Sequence, residues 1–352
     1  MQIAGLVRGL LRRGHRAVVV TRPGSALAAR LQGEIPIVQY PLCHALDLPS
    51  LARLIALFRR LRPQVVHLHS PVAHTLGGIA ARLAGVPVVI AHKRTDFPPT
   101  PGRLNRWRFH GLVQRVIAVS EAGRQSVLTL GVPPESVARI YSGVDTERFR
   151  PDAVTPACPG VPEGVPMVAC VAPLQWRKGQ DLLIRALAGL PAEHAAVWLA
   201  LVGEGEERRR LEGLARECGV ARRVVFTGYL ADVRPVLARC QVAVLPSRRE
   251  ALGVAGLETM AMGKPLVASD TGGLAEIVAP GETGVLVPPG ELAPLTEALA
   301  ALLGDPALAA TMGGRARARA VSLFSMEHTV SETERLYQDL LSLRQKGGRG
   351  SG

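Results

Sequence analysis

Ser247-Arg-Arg-Glu250-Ala-Leu-Gly253-Val-Ala-Gly-Leu-Glu258-Thr-Met-Ala-Met-Gly263-Lys-Pro265 is the stretch on which the reading of this chain turns. An apolar run, 242–245, leads into it and reads as a buried strand. Two carboxylates, Glu250 and Glu258, bracket what reads as a helix start. Were all the residues between them helical, they would stand roughly 12 Å apart along the axis. Gly253 argues for a break, which puts Glu250 on the loop and Glu258 on the helix. The N–H groups of residues 253–256 then lie at a helix N-terminus, whose partial positive charge favours a phosphate oxygen. Gly253 and Val254 are thus the expected diphosphate contacts. Glu258 is placed to bond a ribose, and Glu250 faces whatever the diphosphate carries. Spacing alone does not establish this, since a Glu-x7-Glu pair also fits two solvated carboxylates.

The surrounding residues change the balance. Pro246-Ser247-x-x-Glu250-x-x-Gly253 is followed by Leu257-Glu258-x-Met260-Ala261-x-Gly263-x-Pro265 and by Ser269-Asp270-x-Gly272-Gly273-x-x-Glu276. With over a dozen positions in register, this pattern resembles the retaining family 4 glycosyltransferases of the GT-B fold. The resemblance spans residues 5 to 340 and is densest from 167 to 290.

Outward from that stretch, short apolar runs alternate with helical patterns. Strands are expected at 17–21, 35–40, 64–69, 87–91 and 115–120, then at 167–172, 197–203, 223–227, 241–245, 265–269 and 284–287. Helices are expected at 48–61, 75–84, 180–188 and 292–303. This alternation predicts an α/β chain with parallel sheets covered on both faces. The run 150–166 carries Pro151, Pro156, Pro159, Pro162 and Pro166 and reads as a linker. Two Rossmann-like doubly wound domains follow, 1–150 and 151–325, facing across a cleft at the carboxyl ends of their strands. A long helix is expected at 326–345, with a disordered Gly-rich tail over 346–352. The resemblance implies that this helix crosses back to the first domain, and that 1–150 is the acceptor side.

In the resembled family a strand and a Gly-rich loop precede the helix that here ends at Gly14-His15. Only Met1 to Arg13 stand before that point, enough for the helix alone. The first domain is therefore expected to lack its first strand, through a misplaced start or a fragment.

Composition bounds the function. At 352 residues and 47% hydrophobic, the chain has material for two full cores. Five cysteines without C-x-x-C spacing read as isolated thiols, neither a disulfide framework nor a zinc site. A formal charge of +13 suits anionic partners: phosphorylated donors, anionic lipid or nucleic acid. No nucleic-acid motif accompanies it, so nucleic acid is not an expected partner. No apolar run reaches membrane-span length, and Arg8 interrupts any signal-peptide core. Arg103-Leu-Asn-Arg106-Trp107-Arg108-Phe109-His110 mixes cations and aromatics at helical spacing. It reads either as a face that rests on an anionic membrane or as a solvated basic face over two buried aromatics. A cytoplasmic protein, peripheral on the inner face of the membrane, is the expectation.

Further motifs are read through the resemblance. In Pro173-Leu174-Gln-Trp-Arg177-Lys178-Gly179, Lys178 matches the family's phosphate-binding lysine, whereas Pro173 replaces the usual arginine. Arg177 is the candidate to compensate. Gly203-Glu204-Gly205 and Thr227-Gly228-Tyr229 match turns that border the nucleotide base, giving Gly203, Glu204 and Tyr229 as contacts. His92, after an apolar run, matches a histidine that meets the donor sugar, with Arg94 and Asp96 placed to orient it or contact the acceptor, capping being the other reading of Asp96. His67 and His69 share a strand face by period two. Without an evident third ligand they read as packing and hydrogen-bonding groups, and no metal is expected.

The resemblance implies transfer of a sugar from a nucleotide-diphosphate sugar to a lipid-linked or cell-envelope saccharide, with front-face retention and no resident cofactor. Glu250 and His92 are the expected catalytic groups. Glycosidases differ, placing two carboxylates as acid and nucleophile or base. A sugar-nucleotide 2-epimerase of the same architecture and an inactive donor-binding fragment stay open as alternatives.

Overall fold

The computed structural model describes residues 2–45, 47–95, 99–100 and 102–348. By contacts the chain forms two compact units, one running to Ser142 and resuming at Met326, the other spanning Gly143–Ser325.

Among the described residues, the first unit holds β1 (Val19–Thr21), β2 (Ile37–Gln39), β3 (Val65–Leu68), β4 (Val88–Lys93), β5 (Arg115–Ala118) and β6 (Val137–Arg139). They lie in two parallel sheets, β1-β2 and β3-β4-β5-β6. β4 is buried along its whole length, as a central parallel strand covered on both faces must be. Its register pairs His67 with Ile90 and Leu68 with Ala91 on β3, and His92 with Ile117 on β5. β6, absent from the sequence reading, is three residues long with one buried side chain. The helix expected at 75–84 spans Pro71–Leu83 instead. Ser70 caps it by accepting from the Ala73 N–H at 3.3 Å, and Pro71 fits the first turn, where no N–H partner is needed.

Two helices close this unit. Gln2–Arg12 buries Ala4, Leu6, Val7 and Leu10 and turns Gly5 and Gly9 toward the last helix. A Cβ on Gly9 would lie 2.3 Å from Val330 Cγ2, and one on Gly5 would lie 2.6 Å from Met326 Cε. The branched Val330 cannot swing aside, so hydrogen at position 9 permits the approach, whereas the flexible tip of Met326 could yield to a larger residue at position 5. Arg13 pairs with Glu327 and Glu334, and His15 Nε2 lies 2.6 Å from Glu334. The last helix runs Met326–Gly348, so residues 346–348 continue the helix rather than open the expected tail. Helix-compatible side chains through Lys346 let the hydrogen-bond ladder continue until two glycines. Residues 349–352, the remainder of that expected tail, lie outside the described residues.

The second unit is one parallel sheet of β7 (Met167–Val171), β8 (Trp198–Val202), β9 (Val224–Gly228), β10 (Val242–Leu245), β11 (Leu266–Ser269) and β12 (Gly284–Val287). Its order is β12-β11-β10-β7-β8-β9. The chain enters at β7, builds outward to β9, then returns to lay β10 against the other side of β7. β7 and β10 therefore flank a topological switch point, where such sheets take ligands at their carboxyl ends.

The contact boundary falls at 142/143 and not at 150/151. Val144 and Phe149 are buried, and Val144 bridges to Ser325, with its N–H donating to Phe324 O at 2.8 Å. The Pro-rich run packs on this unit too. Cys158 and Val161 are buried, Ala157 N–H donates to Pro235 O at 3.1 Å, and Arg239 Nη1 donates to Val161 O at 2.9 Å. Proline supplies no N–H but keeps its carbonyl, and an arginine fork turns those carbonyls into anchors. All five cysteines are free thiols.

Candidate functional site

Two turns meet at the switch point. After β7 the chain passes through a 3-10 turn, Trp176–Lys178, into the helix Gln180–Ala188; after β10 it loops to the helix Val254–Ala261. Gly179 stands at φ +70, and a Cβ there would lie 1.9 Å from the Pro246 carbonyl oxygen. That contact, open only to glycine, brings Lys178 beside the β10 loop. The Lys178 ammonium pairs with Glu250 Oε2 across 72 positions of sequence, both side chains being only 9% and 10% exposed. Glu250 Oε1 accepts from the Ala251 N–H at 3.2 Å, and the Ser247 hydroxyl lies 3.5 Å from Oε2. Lys178 thus rests against a carboxylate. A buried ammonium needs a counter-charge, and Glu250 supplies it.

Gly253 stands at φ +88 and opens the helix Val254–Ala261 without a side-chain cap. Of the four amides expected at this terminus, that of Gly256 donates to Gly253 O at 2.8 Å and is engaged. The amides of Gly253, Val254 and Ala255 have no acceptor among the described residues. Glu258 sits one turn further on, half-buried. Burial pushes its carboxyl up to about 7, with the Arg148 charge pulling the other way.

Arg177 stands next to Lys178 in the same turn. Its Nε donates to Gln175 Oε1 at 3.1 Å, and its carbonyl accepts the Arg248 N–H at 2.8 Å. A clamp that sequence reading missed joins the two turns: Arg248 grips Asp181 with both guanidinium ends at 2.8 Å and lies 5.0 Å over the Trp176 ring. The 67 positions between Arg248 and Asp181 offer no local signal. Arg248 raises its own basicity and lowers that of Asp181 through this pair, against the burial of the carboxylate.

The β8 and β9 ends adjoin the same edge. Gly203 N–H donates to Gly228 O at 2.9 Å, and Leu174 N–H donates to Glu204 O at 2.9 Å. Tyr229 follows with its ring 65% exposed. Gly203, Glu204 and Tyr229 therefore border one another, beside the turn that carries Lys178.

His92 lies in the first unit, at the end of β4, and Glu250 belongs to the second. It joins His67 of β3 and His69 just beyond that strand, one ring nitrogen of each of the three lying within 4.8 Å of the others. The third imidazole that the sequence reading found missing comes from the neighbouring strand. Arg94 Nη2 stands 3.3 Å from His92 Nδ1, which is 3.1 Å from His67 Nε2, and His67 Nδ1 is 2.6 Å from the Tyr337 hydroxyl. Burial pushes His67 down to about 3 and His69 and His92 well below the usual imidazole value, so all three are neutral. Asp96, expected beside them, lies outside the described residues.

The basic aromatic run forms a short helix, Arg103–Arg106, then a π-helical turn, Trp107–Gly111. Phe109 is buried edge-on against His74, whereas Trp107 and Leu104 are exposed. Only one of the two aromatics is core. Among the described residues no single helix is long and apolar enough to cross a membrane.

Two family models match in series: Glycosyltransferase Family 4 over residues 1–148 and Glycosyl transferases group 1 over 156–319. The chain is 33% identical over 315 residues to a GDP-mannose-dependent alpha-mannosyltransferase of Mycobacterium tuberculosis, covering 82% of this chain and 79% of that one. It is 30% identical over 309 residues to the lipopolysaccharide core biosynthesis mannosyltransferase LpcC of Rhizobium leguminosarum bv. viciae, covering 84% and 85%. The crystal structure of Anabaena Alr3699/HepE in complex with UDP superposes with a TM-score of 0.81 at 25% identity over 96% of both chains. Two parallel α/β units, matched end to end by these models and relatives, make this chain a member of the group 1, family 4 glycosyltransferases with the GT-B fold.

Proposed function

We propose that this transferase takes a nucleotide-diphosphate sugar at the β7–β10 switch point and passes its sugar, with retention, to a lipid-linked or cell-envelope saccharide. One observation carries the reading: the buried Lys178–Glu250 pair faces the same loop as the unoccupied amides of Gly253, Val254 and Ala255. The ammonium and the amides take the charge that develops on the leaving diphosphate, by positioning and electrostatics. As the phosphate draws on Lys178, Glu250 is freed to hold the sugar hydroxyls and to stabilise positive charge at the anomeric carbon. Glu258 bonds the ribose, and Tyr229 with the Gly203-Glu204 turn borders the base. Arg177 is a secondary phosphate contact. His92, whose Nε2 has no partner, keeps a donor for a substrate hydroxyl. Chain cations and amides carry the diphosphate, so no resident cofactor or metal is invoked.

The names of the similar proteins support a nucleotide-sugar donor and an envelope acceptor: GDP-mannose for the mycobacterial relative, UDP and UDP-glucose for the Anabaena structures, lipopolysaccharide core for LpcC. The exposed Leu104 and Trp107 beside Arg103 and Arg106 support a cytoplasmic protein resting on the inner membrane face.

The test is a thermal-shift screen of UDP- and GDP-sugars followed by product analysis with the donor that binds. Transfer with the anomeric configuration kept is the expected result. Isomerised donor would assign a 2-epimerase, and donor binding with neither product would assign a binding protein. Glu258→Ala is expected to weaken nucleoside diphosphate affinity at least tenfold; unchanged affinity removes the ribose assignment.

A further inference from the structure

Arg94 is half-buried beside His92, its Nε shut off from solvent, and among the described residues no carboxylate pairs with it. Its neighbour Lys93 turns away, its ammonium donating to the Thr95 carbonyl and hydroxyl at 2.6 Å. Burial brings the Arg94 guanidinium down to about 10, still charged at neutral pH. A partly desolvated cation with no counter-charge among the described residues carries a cost that an anion would offset.

The hydrogen bonds decide the sign of that ligand. A guanidinium only donates, so His92 Nδ1 accepts from Arg94 and carries its proton on Nε2. His67 Nε2, 3.1 Å from the same nitrogen, then donates to it, and His67 Nδ1 accepts from the Tyr337 hydroxyl. Both lone pairs that a metal would need are already taken. What remains without a partner is a set of donors, Arg94 Nε–H and His92 Nε2–H, together with His69 Nδ1. Unmet donors around a fixed positive charge ask for an oxyanion.

We propose that Arg94, with His69, forms a phosphate-type oxyanion subsite at the carboxyl ends of β3 and β4, next to the His92 Nε2–H that meets the donor sugar, and that the anion is one borne by the acceptor. The assignment to the acceptor rests on the transferase reading; the anion site itself does not.

Inorganic phosphate is titrated into the full chain, with the donor site held by saturating UDP or GDP, while histidine side-chain nitrogen resonances are followed. Saturable shifts at His69 and His92, weakened at least tenfold in Arg94→Gln and partly kept in Arg94→Lys, are expected. Nucleoside diphosphate affinity, read separately, shows that each variant is folded and tests the donor site independently. Histidine resonances unmoved by phosphate overturn the proposal. So does stoichiometric Zn2+ ligation at His67 Nε2 and His92 Nδ1 that survives Arg94→Gln. For the acceptor assignment, Arg94→Gln is expected to raise KM at least tenfold for phosphorylated saccharide acceptors and to spare unphosphorylated ones. An equal change for both sinks it.

Discussion

Glu258 and the Lys178–Glu250 pair show how single residues are tuned by their surroundings. Burial holds the Glu258 carboxyl at about 7 in the folded chain, against about 4.3 for a free side chain. Between those values the folded state keeps a proton that the unfolded state has lost, so Glu258 costs stability as pH rises through that window. Ribose hydroxyls that donate to the carboxylate reverse the preference, and binding then releases a proton. Nucleoside diphosphate affinity is therefore expected to rise from pH 6 to 8, with proton release visible by calorimetry in buffers of different ionisation enthalpy. Glu258→Gln should flatten that profile, and a profile unchanged by the substitution would refute the linkage. Removing one partner of a buried ion pair strands the other charge. Lys178→Met is expected to cost about 3 kcal/mol in urea unfolding. Adding Glu250→Leu should recover most of that stability and none of the activity, which would show that the pair is kept for chemistry. The positions of these residues were partly legible: residue types and the Gly253 break pointed to loop and helix. The pairing was not legible, because nothing local links residue 178 to residue 250.

At the level of elements, strand and helix signals were strongest where period and caps agreed. The helices Leu48–Leu61 and Gln180–Ala188 match their expected ranges residue for residue. The first has Asp47 accepting from the Ser50 N–H at 3.0 Å and a left-handed Arg62 to end it. Ser70-Pro71 was an equally good start signal that the apolar period alone overlooked. The Gly5/Gly9 face of the first helix was invisible in sequence, since glycines spaced four apart acquire meaning only when another helix is laid on them. Gly9→Leu is expected to displace the last helix at Val330 and cost about 1–3 kcal/mol by overpacking, read as a lowered thermal midpoint. Gly14→Ala, where nothing lies within 4 Å, serves as a comparison that tests backbone strain alone. If Gly9→Leu melts no lower than Gly14→Ala, the close approach does not matter to stability.

Across the whole molecule, charge and buried histidine govern the response to solution conditions. His67, His69, His74 and His92 all have depressed values, with burial as the leading cause. Below about 6.5 the unfolded chain binds protons that the folded one refuses, so their contribution is full above that pH and is lost on acidification. Each contributes a slope of up to about 1.4 kcal/mol per pH unit between about 6.5 and its folded value. Urea unfolding at pH 7, 6 and 5 should show this fall, and His74→Gln should make it shallower; a slope unaffected by that change would place the acid sensitivity elsewhere. The sequence by itself determined the α/β class, the parallel strands, the group 1 pattern around Glu250 and Glu258, and the excess of positive charge. These follow from period, chain-local turn chemistry and composition, which are properties of neighbours along the chain. Only the tertiary structure decided that Lys178 meets Glu250, that Arg248 clamps Asp181, and that Arg94 stands beside His92 with no counter-charge among the described residues. Each of those depends on which strands lie side by side, and parallel strands are joined by crossovers that separate spatial neighbours by tens of residues.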